Sequence, residues 1–231
     1  MALVIELGNS RTKMARFPAE APPTVVTLKS PPELEKWAGE QIVFLDTRSD
    51  PVWRAALARL GAQELRTAQG LPFRTAYSTR LGPDRAAQLV AAWQAKSFPA
   101  LVISLGTACV LDYLDKDGVH RGGIIAPGLH LRLWALHHRT GRLPLVAPIE
   151  NPPLLGQDTP EALQSAALYG LAWELQGWIR QLNPQTLWLT GGEAEKIRPY
   201  LPSGSIFAPD LTLTGAWLWW QFLQGRRLAC L

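Results

Sequence analysis

Residues 8–13 read Gly-Asn-Ser-Arg-Thr-Lys, placing small residues, hydroxyls and a cation directly after an apolar stretch whose one carboxylate is Glu6. A turn of that composition presents backbone N–H groups, hydroxyls and an ammonium together, which is what gripping a phosphate requires. A second reactive pair stands at Asp84-Arg85, inside "LGPDRAAQLV". A carboxylate there could accept a proton, and a guanidinium could pair with an anion in bidentate fashion. Taken alone, the same pair reads first as a helix start with Asp84 as its N-cap or first-turn acid, and Lys13 alone could be a solvated strand lysine.

The elements that must position these residues follow from the hydrophobic period. A strand at 2–7 runs into the polar turn, and "KMARF" then stops at Pro18, too short for a helix and so a returning strand. A Walker-type loop needs a helix N-terminus facing the phosphate, and none follows here. "QIVFLD" (41–46) is a further strand, with helical patterns at 32–39 and 51–60, and "GPDRAAQLVAAWQAK" is a helix with Leu89, Val90 and Trp93 on one side. Near residue 100 the opening returns: strand "ALVISL" (100–105), turn "GTA" (106–108), strand "CVLDYL" (109–114), turn "DKDG", strand "VHRGGIIA". A long helix over 160–182 carries Leu168, Leu171, Leu175, Trp178 and Leu182 along one stripe. "QTLWLTGGEAEKI" (185–197) reads strand, glycine turn, helix, a setting suited to the adenosine end of a nucleotide. Both halves thus open alike, and the boundary falls near Pro99, giving 1–99 and 100–231.

Composition narrows the function classes. The 231 residues are 47% hydrophobic, enough for a core, yet no apolar run reaches the roughly 18 residues of a membrane span. No signal-peptide core precedes Glu6, so the expected location is cytoplasmic, away from the membrane. A formal charge of +4 suits an anionic substrate, while the densest basic spot is only "GRR" at 225–227, which argues against nucleic acid. Cys109 and Cys230 lie too far apart in sequence to suggest a disulfide framework. Among His120, His130, His137 and His138, the adjacent pair cannot share a helix face, which disfavours zinc. Ten tryptophans, several in "GAWLWWQFL" (215–223), read as core or subunit-contact aromatics.

Taken in order, "ELGNSRTK", "LGPDRAAQLVAAW", "SLGTACVLDYLDKDGVHRGGIIAPGL", "LP" at 143–144, "GQDTPEAL" and "LTGGEAEKI" resemble type III pantothenate kinases over nearly the whole chain. The resemblance implies an α/β fold of two ribonuclease-H-like domains with a cleft between them, as in the actin, sugar-kinase and Hsp70 superfold. It implies ATP-dependent phosphorylation of pantothenate to 4′-phosphopantothenate, the first step towards coenzyme A, by a homodimer whose substrate pocket is built partly by the partner subunit. The ATP-phosphate turn then falls on Glu6, Leu7, Gly8, Asn9, Ser10, Arg11, Thr12 and Lys13, with a further ATP contact at Thr107. Pantothenate would meet Tyr77, Gly82, Pro83, Asp84, Arg85 and Thr159, with Asp84 as the catalytic base. An ordinary carboxylate is ionised at neutral pH and fits that role.

Three departures from the family pattern bear on chemistry. Glu6 replaces an aspartate, and its longer stem suits magnesium held through a water. Ser104 replaces the aspartate that binds a monovalent cation, and a neutral hydroxyl is a poor sole anchor for potassium or ammonium. The expectation is an enzyme that needs no such cation or replaces its charge with a nearby basic residue. Tyr77 stands nearer Gly82 than the family tyrosine does, so it either reaches substrate through a shortened loop or is simply packed. The other reading of the altered positions is a non-catalytic relative acting as an accessory transcription factor.

Overall fold

The computed structural model describes residues 2–18 and 23–226, so Arg227 and Cys230 lie outside the described residues. In chain order the elements are β1 (Leu3–Leu7), β2 (Thr12–Arg16), β3 (Thr24–Leu28), β4 (Ile42–Asp46), α1 (Pro51–Arg59), β5 (Gln63–Glu64) and α2 (Pro83–Gln94). They continue with β6 (Ala100–Leu105), β7 (Ala108–Leu114), β8 (His120–Pro127), α3 (Leu129–Arg139), α4 (Thr159–Leu182), β9 (Thr186–Thr190), α5 (Ala194–Ile197), β10 (Ile206–Phe207) and α6 (Leu211–Leu223). Two five-stranded sheets result, ordered β3-β2-β1-β4-β5 and β10-β9-β6-β7-β8.

Each sheet opens on an antiparallel hairpin whose first strand also pairs in parallel with a later one. β1 pairs with β2 and β4, and β6 pairs with β7 and β9. Alternation along β1 sends Leu3, Ile5 and Leu7 into a core with Met14, Phe44, Trp53 and Leu57, on the side of α1. Val4 and Glu6 therefore belong to the opposite face, where α6 meets β1 and α2 meets β4. The helical pattern expected at 32–39 is a 3-10 helix, Pro31–Trp37. It opens on two prolines and Glu33 caps Ser30, so it makes one tight run and then stops. In α4 the expected stripe is buried through Leu175, but Trp178 is 37% exposed. Ile179, four residues beyond Leu175, packs against the core in its place.

The chain divides into two compact units. One comprises Met1–Ser97, Gly118–Arg121 and Asp210–Leu231; the other comprises Phe98–Asp117 and Gly122–Pro209. The first division falls beside Pro99, while the last helix rejoins the first unit because α6 packs on α2. Its aromatic run supplies the reason: Trp219 and Trp220 are buried, the Trp219 indole donates to the Gly70 carbonyl at 2.7 Å, and Trp217 stacks on Phe17. In the second unit Trp134 and Trp173 stand about half exposed, at 48% and 56%. No helix among the described residues is long and apolar enough to cross a membrane.

The helix pair is closest at Gly215, where a Cβ would stand 1.7 Å from the Ala87 carbonyl oxygen. Backbone against backbone leaves nothing flexible to yield. Gly215→Ala is expected to cost about 2–3 kcal/mol net, even though alanine gains about 1 kcal/mol in helix propensity. A thermal melt checks this, and a melting temperature equal to or above wild type would contradict the packing account.

Candidate active site

Glu6 is the last polar side chain of a central strand. It faces Lys13 directly across the β1–β2 ladder. The other two members of the cluster come from helix starts on the same face: Asp84 in the first turn of α2 and Asp210 at the N-cap of α6. Lys13 Nζ lies 3.6 Å from Asp210 Oδ1. Burial pushes the Glu6 carboxyl up to about 7, with Asp84 and Asp210 raising it further and Lys13 opposing them. Glu6 thus lies within the charge field of Asp84, Asp210 and Lys13, where a cation brought by a ligand would be favoured.

The adjoining turn closes through the Gly8 N–H, which donates to the Arg11 carbonyl at 3.1 Å. Asn9, Ser10 and Arg11 are exposed at its tip, while Leu7 and Thr12 are buried at its base. Arg48, a residue that the sequence reading passed over, donates to Thr12 Oγ1 at 2.8 Å.

At the α2 start, Gly82 is the N-cap and Pro83 the first helical residue. Asp84 folds back so far that Oδ1 stands 2.7 Å from where a Cβ on residue 82 would be, so a side chain there would displace the carboxylate. Arg85 is buried and donates to the Tyr77 hydroxyl at 3.2 Å, its guanidinium 4.7 Å above the Tyr77 ring. Tyr77 also stacks on the fully buried His120, whose Nδ1 lies 2.9 Å from Thr75 Oγ1. Tyr77 is therefore packed, and packed against Arg85. His120 was visible in the sequence only as an isolated histidine.

In the second unit Ser104 is the penultimate residue of β6, in register with Val110 and Thr190. Thr107 is exposed in the following turn, its carbonyl accepting from the Gly128 N–H at 3.0 Å. The turn is braced by Glu193. Its backbone N–H donates to the Leu105 carbonyl at 3.0 Å, Oε2 accepts from the Leu129 N–H at 3.0 Å, and Oε1 pairs with His130 Nδ1. Gly191, at φ +95°, allows that approach, since a Cβ there would sit 2.2 Å from the Leu105 oxygen. Burial, aided by Glu174 and Glu193 against Arg132, pushes the Cys109 thiol up to about 12, so it is no nucleophile at neutral pH. Thr159 opens α4 and is exposed. Asp158 caps the helix through the Glu161 N–H at 2.8 Å, and Glu161 reaches back to the Gln157 N–H.

Comparison with known proteins gives a consistent picture. The model of the type III pantothenate kinase family matches residues 45–181. A type III pantothenate kinase of Porphyromonas gingivalis is 32% identical, covering 92% of this chain and 95% of its own. One from Gloeobacter violaceus is 37% identical over 87% and 90%. Among solved structures, a protein described as a Baf family transcriptional activator from Campylobacter jejuni has a TM-score of 0.64 at 20% identity, covering 92% of this chain and 94% of its own. A 2-dehydro-3-deoxygalactonokinase protein from Sinorhizobium meliloti has 0.61 at 11%, covering 96% of each chain. The structural likenesses establish the fold, that of the actin, sugar-kinase and Hsp70 superfold.

The Glu6 environment predicts a pH signature. Titrating near 7 when folded and at its ordinary value when unfolded, Glu6 holds its proton only in the folded state between those limits. The associated stability is present at low pH and lost as pH rises towards 7. Glu6→Gln is expected to melt close to wild type near pH 4.5 and to become the more stable protein above pH 7, by up to about 3 kcal/mol without magnesium. A difference that does not change with pH would refute the assignment.

Proposed function

This chain belongs to the type III pantothenate kinase family, and we propose that it transfers the γ-phosphoryl group of ATP to the primary hydroxyl of pantothenate, forming 4′-phosphopantothenate for coenzyme A synthesis in the cytoplasm. The observation that carries the reading at residue level is the carboxylate of Asp84. It stands in the first turn of α2, over a glycine that gives it room, and it is charge-coupled to Glu6. In this reading Asp84 takes the hydroxyl proton as the oxygen attacks the γ-phosphorus in line. Proton transfer to a fixed carboxylate lets the acceptor oxygen become nucleophilic without a free hydroxide.

Arg85, steadied by the Tyr77 hydroxyl and ring, pairs with the carboxylate of pantothenate in a fork-to-carboxylate contact. Tyr77 then acts by holding Arg85. The turn of Gly8 to Lys13 receives ATP phosphates, Lys13 as a cation and the turn through its N–H groups and hydroxyls, with Thr107 a further contact. Magnesium carried with ATP would supply positive charge over the transferring oxygens, and Glu6 is the residue that would hold it. Thr159 meets pantothenate in a pocket completed by a second copy of the chain. The half-exposed Trp134 and Trp173 support such a homodimer. Ser104 brings no charge to the monovalent-cation position, so turnover should not need potassium.

A coupled ATP-turnover assay tests this. Pantothenate-dependent turnover is expected in wild type, with kcat lowered roughly 10²- to 10⁴-fold in Asp84→Asn. Potassium should change the wild-type rate by less than about twofold, against the much larger effect of an essential cation that neutralises phosphate charge. Strong potassium activation would overturn the Ser104 reading, and folded dimeric protein without turnover would favour the regulator.

A further inference from the structure

The turn at residues 8–13 is short, and its tip is exposed. A single side chain joins its two ends. Arg48 Nη2 donates to Thr12 Oγ1 at 2.8 Å, and Nη1 donates to the Gly8 carbonyl at 3.4 Å. The guanidinium is itself fixed on two further sides, 5.5 Å over the Trp53 ring and with Nε 3.5 Å from Asp50 Oδ2. Asp50 also caps α1 by accepting from the Val52 and Trp53 N–H groups.

The loop that carries Arg48 is built to hold it there. Asp46 Oδ1 accepts from the Arg48 N–H at 3.2 Å and the Ser49 N–H at 2.8 Å, which stabilises Ser49 at φ +55°. Thr47 ties the loop to the end of β1, its N–H and its hydroxyl both donating to the Leu7 carbonyl, at 3.1 and 3.0 Å. A planar, permanently charged fork thus spans Gly8 and Thr12 from a rigid support.

We propose that Arg48 is a positioning residue for ATP: its fork clamps the two ends of the Gly8–Thr12 turn and so fixes the turn's N–H groups, and the adjoining Lys13, for the nucleotide phosphates. This rests on the reading of that turn as the ATP-phosphate turn. The clamp pre-sets the turn before nucleotide arrives, so the ordering cost is not met at binding. Its charge also lies behind the turn and raises the potential where the phosphates would sit. Lysine cannot substitute, because a single ammonium does not span both acceptors.

The test compares wild type, Arg48→Lys and Arg48→Gln by steady-state kinetics and by calorimetric titration with magnesium-ADP, which needs no turnover. Both variants are expected to raise KM for ATP and weaken magnesium-ADP about tenfold, with KM for pantothenate changed less than about twofold. Wild-type affinity in Arg48→Lys would show that charge, not the fork, acts, and would overturn the proposal. So would unchanged affinity in Arg48→Gln, or an equal loss for both substrates accompanied by a lowered melting temperature. If wild type binds magnesium-ADP but does not phosphorylate pantothenate, the kinase reading fails while the titrations still decide on Arg48. Wild type that binds no nucleotide overturns both.

Discussion

Holding a half-buried carboxylate at the end of an otherwise apolar central strand is the constraint around which the first unit is arranged. β1 has a partner on each side, so Glu6 cannot relieve itself at a sheet edge. The ladder sets Lys13 opposite it, and a directly opposed ion pair offsets part of the desolvation. Two helices on the same face then bring Asp84 and Asp210 by their first turns, which raises the cost again. An arrangement selected only for stability would stop at the pair. Carboxylates gathered on one face at such a cost are more typical of sites that bind than of sites that merely fold.

The second unit repeats the topology without repeating the charge. Ser104-Leu105-Gly106 occupies the place in β6 that Glu6-Leu7-Gly8 occupies in β1, each two residues ahead of its turn. Where the first unit has a carboxylate, the second has a hydroxyl, and the acid that braces its turn, Glu193, lies elsewhere. That acid is answered on the spot by the Leu129 N–H and by His130. The result is a turn braced by a carboxylate whose oxygens both have partners. Like the first turn, it is held by a side chain distant in sequence: Glu193 through the start of α3, and Arg48 through the loop after β4.

The strands and turns that carry chemistry were legible in the sequence because they follow local rules. Pro18 ends the second strand, Gly82-Pro83 opens α2, and period two sorts the faces of β1. What locks those turns was not legible. Arg48 reaches Thr12 across 36 residues and His130 reaches Glu193 across 63, and no spacing rule relates residues so far apart. The same limit applies to Asp210, which joins Glu6 only because α6 packs against β1. Periodicity also located several tryptophans on helices without separating buried from exposed: Trp219 is sealed in the α2–α6 layer, whereas Trp173 is about half exposed. Burial is settled by the partner element, which a single helix does not encode.

Of the departures from the family pattern, those at positions 6 and 104 carry opposite physical weight. A serine at position 104 is neutral, and its presence is compatible with a site that has lost a charge or never needed one. Glutamate at position 6 is different, because its burial and its acidic neighbours hold it near neutrality at a standing cost to the fold. A neutral side chain of the same shape would remove that cost. A chain freed from binding a cation and phosphate would have every physical reason to accept the change, and no structural reason to keep a lysine and two further carboxylates around it. Retaining the expensive group beside Asp84 and Arg85 therefore argues for a working phosphoryl-transfer site, with the loss at Ser104 confined to how the second turn manages charge.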